Sequence, residues 1–87
     1  MRSFRTGQFK ALFRALPADA QVAARKAYRL WAVDPRHPSL HFKLIRNDAW
    51  TVRISLNYRA IGFMRGEAIY WHWIGPHDVY DRLLRNL

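Results

Sequence analysis

The chain has 87 residues, with 15 Lys or Arg against 6 Asp or Glu, giving a formal net charge of +9. That length allows one compact domain, residues 1–87, and a composition 51% hydrophobic and 15% aromatic excludes a disordered basic tail. The absence of Cys excludes disulfide staples, thiolate-zinc sites and thiol catalysis.

Phe9, Leu12, Phe13 and Leu16 recur at i, i+3, i+4 and i+7, one face of a first helix. Thr6 is its expected N-cap, and Leu16-Pro17 ends it, since a residue before proline resists the α region. A second helix is predicted from Ala18 to Val33. Ala20, Ala24, Ala27, Tyr28 and Trp31 form its buried stripe, with Gln21, Arg25 and Arg29 outside. The short connection predicts an antiparallel helical hairpin. Asp34-Pro35-Arg36-His37-Pro38 cannot continue the helix.

Beyond Pro38 the period changes to two. A strand is expected over Ser39–Ile45, followed by the turn Arg46-Asn47-Asp48. Trp50, Val52, Ile54 and Leu56 then alternate with Thr51, Arg53, Ser55 and Asn57, a strand with one apolar and one polar face. Two further strands, Tyr58–Met64 and Ala68–Ile74, flank the turn Arg65-Gly66-Glu67, and Gly75-Pro76 breaks the last one. Tyr80, Leu83, Leu84 and Leu87 mark a closing helix from His77. The expected fold is α+β: an N-terminal helical hairpin packed on a four-stranded antiparallel sheet, with a short C-terminal helix.

The basic excess is 12 Arg against 3 Lys. Arginine forks onto phosphate and stacks on bases, so this balance points to nucleic acid; an acidic protein partner would neutralise it equally well. No apolar run approaches the ~20 residues of a membrane helix, and the N-terminus, Met1-Arg2-Ser3-Phe4-Arg5, has no apolar stretch of the length expected for a signal peptide. A soluble cytoplasmic protein without membrane association is expected.

Two regions carry candidate chemistry. Arg53 lies on the polar strand face, and Lys43 and Arg46 belong to the preceding strand and turn. Arg59 follows a turn, so parity leaves its face open. Cations converging there would hold a phosphodiester and stabilise charge in its transition state; a merely solvated strand face is the alternative. His77 opens the last helix, placed either to exchange protons near neutral pH or to cap the helix. Tyr80, one turn on, faces the same cleft or the apolar stripe, and Asp78 and Asp81 suit the helix N-terminus. Alternation puts Trp71 and Trp73 together in the core, leaving Tyr70 and His72 on the other face, where an exposed ring would stack on a base. The histidine spacings do not suit a metal, so neither metal nor cofactor is expected.

The segments His37-Pro38-Ser39-Leu40, Trp50-Thr51-Val52-Arg53-Ile54, Tyr58-Arg59-Ala60-Ile61, Gly66-Glu67-Ala68-Ile69 and Trp73-Ile74-Gly75-Pro76-His77-Asp78-Val79-Tyr80-Asp81 together resemble the RelE/ParE superfamily of bacterial type II toxin–antitoxin toxins. The resemblance covers nearly the whole chain. It implies a toxin held inactive by an acidic antitoxin in a hetero-oligomer. RelE-like members are metal-independent endoribonucleases that cut mRNA, typically on the ribosome; ParE-like members inhibit DNA gyrase instead. It matches Arg59 to the arginine at the scissile phosphate, His77 to a histidine of RNase branches, Tyr80 to a C-terminal aromatic and Lys43 to a strand lysine. Arg53, Arg59, His77 and Tyr80 are thus the catalytic candidates, and Lys43, Arg46, Arg53 and Arg59 the RNA-binding ones. The sequence departs from the family at the first strand, since only Met1–Arg5 precede the first helix: that edge strand is expected to be short or absent.

Overall fold

Thr6 both caps the first helix and fastens it to the sheet. Its Oγ1 accepts from the Phe9 N–H at 3.2 Å, while its own N–H and hydroxyl donate to the Trp71 carbonyl at 3.1 and 3.3 Å. A computed structural model describes residues 1–86; Leu87, the end of the predicted apolar stripe, lies outside them. The elements are β1 (Arg2–Arg5), α1 (Gly7–Arg14), α2 (Ala18–Val33), a 3-10 turn (Pro38–Leu40), β2 (Lys43–Arg46), β3 (Ala49–Arg53), β4 (Tyr58–Arg65), β5 (Ala68–Pro76) and α3 (His77–Arg85). Among the described residues no helix is long and apolar enough to cross a membrane.

The hairpin forms as the pattern predicts. Gln21 Nε2 donates to the carbonyls of Arg14 and Leu16, satisfying groups that the end of α1 leaves open. Ala20, Ala24, Ala27 and Trp31 are buried. Tyr28, expected in that stripe, is 41% exposed. It sits at the stripe's margin, stacked on Trp31 with its hydroxyl at Ser3 Oγ.

The expected strand from Ser39 starts only at Lys43. His37 Nδ1 accepts from the Ser39 N–H, Pro38 opens a 3-10 turn, and His41 takes a left-handed backbone (φ 47°), so the chain cannot yet extend. The turn sinks Leu40 into the core at 2% exposure.

The sheet order is β1-β5-β4-β3-β2. The four expected antiparallel strands are β2 to β5. The edge strand is present though only four residues long, and it lies parallel to β5, making a five-stranded mixed sheet. Gly75-Pro76 does not break β5: Pro76 still pairs with Tyr58, and α3 starts at the next residue. A proline at a strand end forgoes no ladder bond that the strand needs.

One irregularity matters most. Ile61 pairs with Trp73 but Gly62 pairs with Trp71, so His72 is an extra residue, a β-bulge. Trp71 and Trp73 therefore point to opposite faces, not into one core. Trp71 is 3% exposed and sets its ring against Trp31, centroids 5.5 Å apart. Trp73 stacks on Tyr80 across the sheet's other face. Two glycines make room: a Cβ at Gly62 would lie 2.8 Å from the Trp71 ring, and one at Gly75 2.6 Å from the Trp73 ring. The core fills the side of the sheet under the hairpin, where Leu40, Val52, Ala60, Ile69, Trp71 and Ile74 meet Trp31, with Phe42 stacked on Trp50 at its margin.

Candidate functional site

Directly opposed residues of an antiparallel pair share a face of the sheet. Val52 pairs with Ala60, and both enter the core. Arg53 pairs with Arg59, so both belong to the opposite face. Lys43 is opposite Thr51, and a register shift after Leu44 sets Arg46 opposite Ala49. Without that shift, parity would send Arg46 to the core side. The four cations singled out in the sequence thus stand on one face, remote from the hairpin.

Arg59 also anchors the turn between β3 and β4. Its Nη1 donates to the Ser55 carbonyl at 2.7 Å and the Tyr58 carbonyl at 3.0 Å. Burial lowers its pKa, and the neighbouring Arg53 lowers it further, while Tyr80 and Asp81 act the other way. An arginine starts so high that it stays charged at neutral pH. The same turn positions the last helix, because the Asn57 carbonyl accepts the His77 N–H at 2.7 Å.

The first turn of α3 packs on the site. Tyr80 is buried at 7% exposure, its ring 6.4 Å from Trp73 and 6.3 Å from His77, centroid to centroid. The His77 side chain is half exposed, with Nε2 3.6 Å from Asp81 Oδ2 one turn on. The sequence left Tyr80 between an apolar stripe and a cleft; the fold makes it the middle of a Trp73–Tyr80–His77 stack beside Arg59. Lys43 and Arg46 share the face from its β2 edge rather than joining that stack.

Trp73 was missed because the bulge reversed its face. The Asp81 partnership had a visible signal, its i+4 spacing from His77. The turn carbonyls holding Arg59 had none. Chemically, the site sets two paired arginines on the face where α3 packs, and the imidazole that opens α3 lies 3.6 Å from a carboxylate. Like charges directly opposed across a sheet repel, and a bound anion relieves that repulsion. Among the described residues, no three of His, Asp and Glu come together as metal ligands.

A second surface lies on the other side of the sheet. Between the hairpin and the core face runs a groove of 330 Å³, with Phe9, Phe13, Trp31 and Trp71 among its walls and Arg5, Arg25 and Arg29 beside them. The buried indole N–H groups of Trp31 and Trp71 find no acceptor among the described residues.

No protein-family model and no curated protein matches the sequence. Solved structures do match. RelE in a RelB–RelE antitoxin–toxin complex from Methanococcus jannaschii superposes with a TM-score of 0.71 at 14% identity, over 91% of this chain and 96% of that one. YafQ from Escherichia coli gives 0.72 at 9% identity, over 92% and 98%. A YoeB/ParE toxin from Agrobacterium tumefaciens gives 0.68 at 13% identity, over 88% and 99%. At these identities the likeness is one of fold, and the chain has a RelE/ParE-like toxin fold.

Proposed function

We propose that this chain, on its RelE/ParE-like fold, is the toxin of a type II toxin–antitoxin pair and cleaves mRNA in the cytoplasm. The observation that carries the reading is the Arg53–Arg59 pair beside the Trp73–Tyr80–His77 stack. A phosphodiester seated on the two guanidiniums has its developing negative charge neutralised where it forms. A base removes the ribose 2′-OH proton, and that oxygen attacks its own phosphorus. The bond to the 5′-oxygen breaks as an acid protonates it. The products are a 2′,3′-cyclic phosphate and a 5′-OH. His77, steered by Asp81, serves this proton exchange. Tyr80 supports its ring, and Lys43 and Arg46 hold flanking phosphates. No cofactor enters the scheme.

The partner is an acidic antitoxin. The similar M. jannaschii structure is an antitoxin–toxin complex, and the groove under the hairpin joins apolar walls to three arginines, a match for a segment with apolar and acidic side chains.

One observation favours a second reading, inhibition of DNA gyrase without RNA cleavage: a similar structure carries the ParE name. Induction of the chain, followed by transcript mapping and a gyrase supercoiling assay, separates the two. Growth arrest with new 5′-OH ends supports the nuclease; intact transcripts with blocked supercoiling support the gyrase poison. Growth unaffected by expression excludes both.

A further inference from the structure

The sheet face that carries the arginines continues into an aromatic half that the scheme above leaves unused. Phe63 is on that face because it shares the alternation of Arg59 and Ile61 on β4. Tyr70 pairs with Phe63 on one side and with Phe4 of the edge strand on the other. The Phe4 and Tyr70 rings are stacked, centroids 5.0 Å apart and 19° from parallel. The Arg2 guanidinium lies 5.1 Å from the Phe4 centroid. His72, the extra residue of the bulge, sets its ring edge-on against Phe63. Phe4 is 37% exposed, and Phe63, Tyr70 and His72 are partly exposed.

Resting on the nuclease reading, we propose that Phe4 and Tyr70, with Arg2, form a nucleobase subsite for single-stranded RNA whose phosphates run across Arg59 and Arg53. Aromatic rings and guanidinium planes on an open sheet are how proteins hold unpaired bases. A duplex buries its base faces, so this half of the sheet selects single strands. From Arg59 to Phe63 is four residues along the strand, roughly 13 Å, and from β4 to β1 is two strand spacings, roughly 10 Å. The base held on Phe4 and Tyr70 is thus a few nucleotides from the scissile phosphate and not adjacent to it. The short parallel edge strand thereby acquires a role: it carries the outer ring and the outer guanidinium of the platform.

Binding of a labelled single-stranded RNA, 2′-O-methylated so that it cannot be cut, tests this, with one base at a time deleted along the oligonucleotide. With the unmodified protein, an abasic residue at one position should weaken binding about tenfold, as loss of one stacked base does. Phe4→Leu and Tyr70→Leu, which keep apolar bulk, should weaken the intact RNA by a similar factor, leave the salt dependence unchanged and abolish the penalty at that position. Circular dichroism melting verifies that each variant is folded. Equal affinity of the leucine variants and the unmodified protein overturns the subsite; if Arg53→Gln still weakens binding, the phosphate reading stands without it. Binding weakened with a reduced salt slope means that the variants disturb phosphate contacts, and also overturns the subsite. An unmodified protein that binds no RNA overturns both.

Discussion

Arg53 and Arg59 are directly opposite each other on adjacent antiparallel strands, on the sheet face away from the helical hairpin. Arg59 is partly buried as well, and burial and the neighbouring Arg53 both lower its pKa. Like charges so opposed destabilise the free protein, and a bound anion would relieve the repulsion.

The Arg53→Gln variant should therefore be more stable than the unmodified protein, by a few tenths to about 1 kcal/mol, while binding RNA less tightly. Removing one phosphate contact should lower the slope of log affinity against log salt by about one. Thermal melting and salt-titrated RNA binding measure the two effects. Lower stability together with unchanged RNA affinity would show that Arg53 serves the fold instead.

His77→Gln keeps hydrogen-bonding capacity but cannot exchange a proton near neutral pH. Cleavage should fall about 10²–10⁴-fold, with RNA affinity changed by less than about threefold, as expected for a group that acts in the transition state. Asp81→Asn removes the carboxylate 3.6 Å from the ring, and cleavage should fall less, about tenfold. Single-turnover cleavage with separately measured binding tests both. Full cleavage by a folded His77→Gln variant would remove His77 from the mechanism.

Gly62→Ala and Gly75→Ala should each destabilise the protein by about 1–3 kcal/mol, because the new methyl meets a tryptophan ring. They differ in consequence. The Gly62 variant pushes on Trp71 and Ile69 in the core, so its loss of activity should follow its loss of stability. The Gly75 variant pushes on Trp73, and its cleavage should suffer well below its melting temperature. Urea denaturation and activity at low temperature distinguish them.

The two surfaces lie on opposite sides of one sheet, so their variants should separate. Arg25→Glu and Arg29→Glu reverse charge along the hairpin groove. On the proposed function, affinity for an acidic antitoxin should drop at least about tenfold by calorimetry, while RNA cleavage by the chain alone is retained. Arg53→Gln should do the reverse. Antitoxin affinity indifferent to both groove variants would place the antitoxin elsewhere.

Much of this architecture was legible in the amino-acid order. The 3.6-residue spacing of Phe9, Leu12, Phe13 and Leu16 defined α1, Thr6 and Pro17 bounded it, and the alternation from Trp50 to Asn57 defined β3 and its polar face, although the strand ends at Arg53 and leaves Leu56 exposed in the turn. These are local properties, set by side-chain size and backbone sterics within a few residues. The cations Lys43, Arg46, Arg53 and Arg59 were visible for the same reason. The four-strand meander followed from turns whose residues adjoin in the chain.

What the sequence alone determined, then, was the inventory of elements, their order and the chemistry available to them. The tertiary structure decided which residues meet. One inserted residue, His72, reverses the facing of Trp73 relative to Trp71, because alternation in a strand has a period of two and a single extra residue inverts it. The shift after Leu44 likewise brings Arg46 to the face that carries Arg53 and Arg59. The partner of Arg59 across the ladder, and the pairing of β1 with β5 near the far end of the chain, depend on register between distant segments. Register is fixed by how two strands bury their faces together, a property of the pair that neither strand carries by itself.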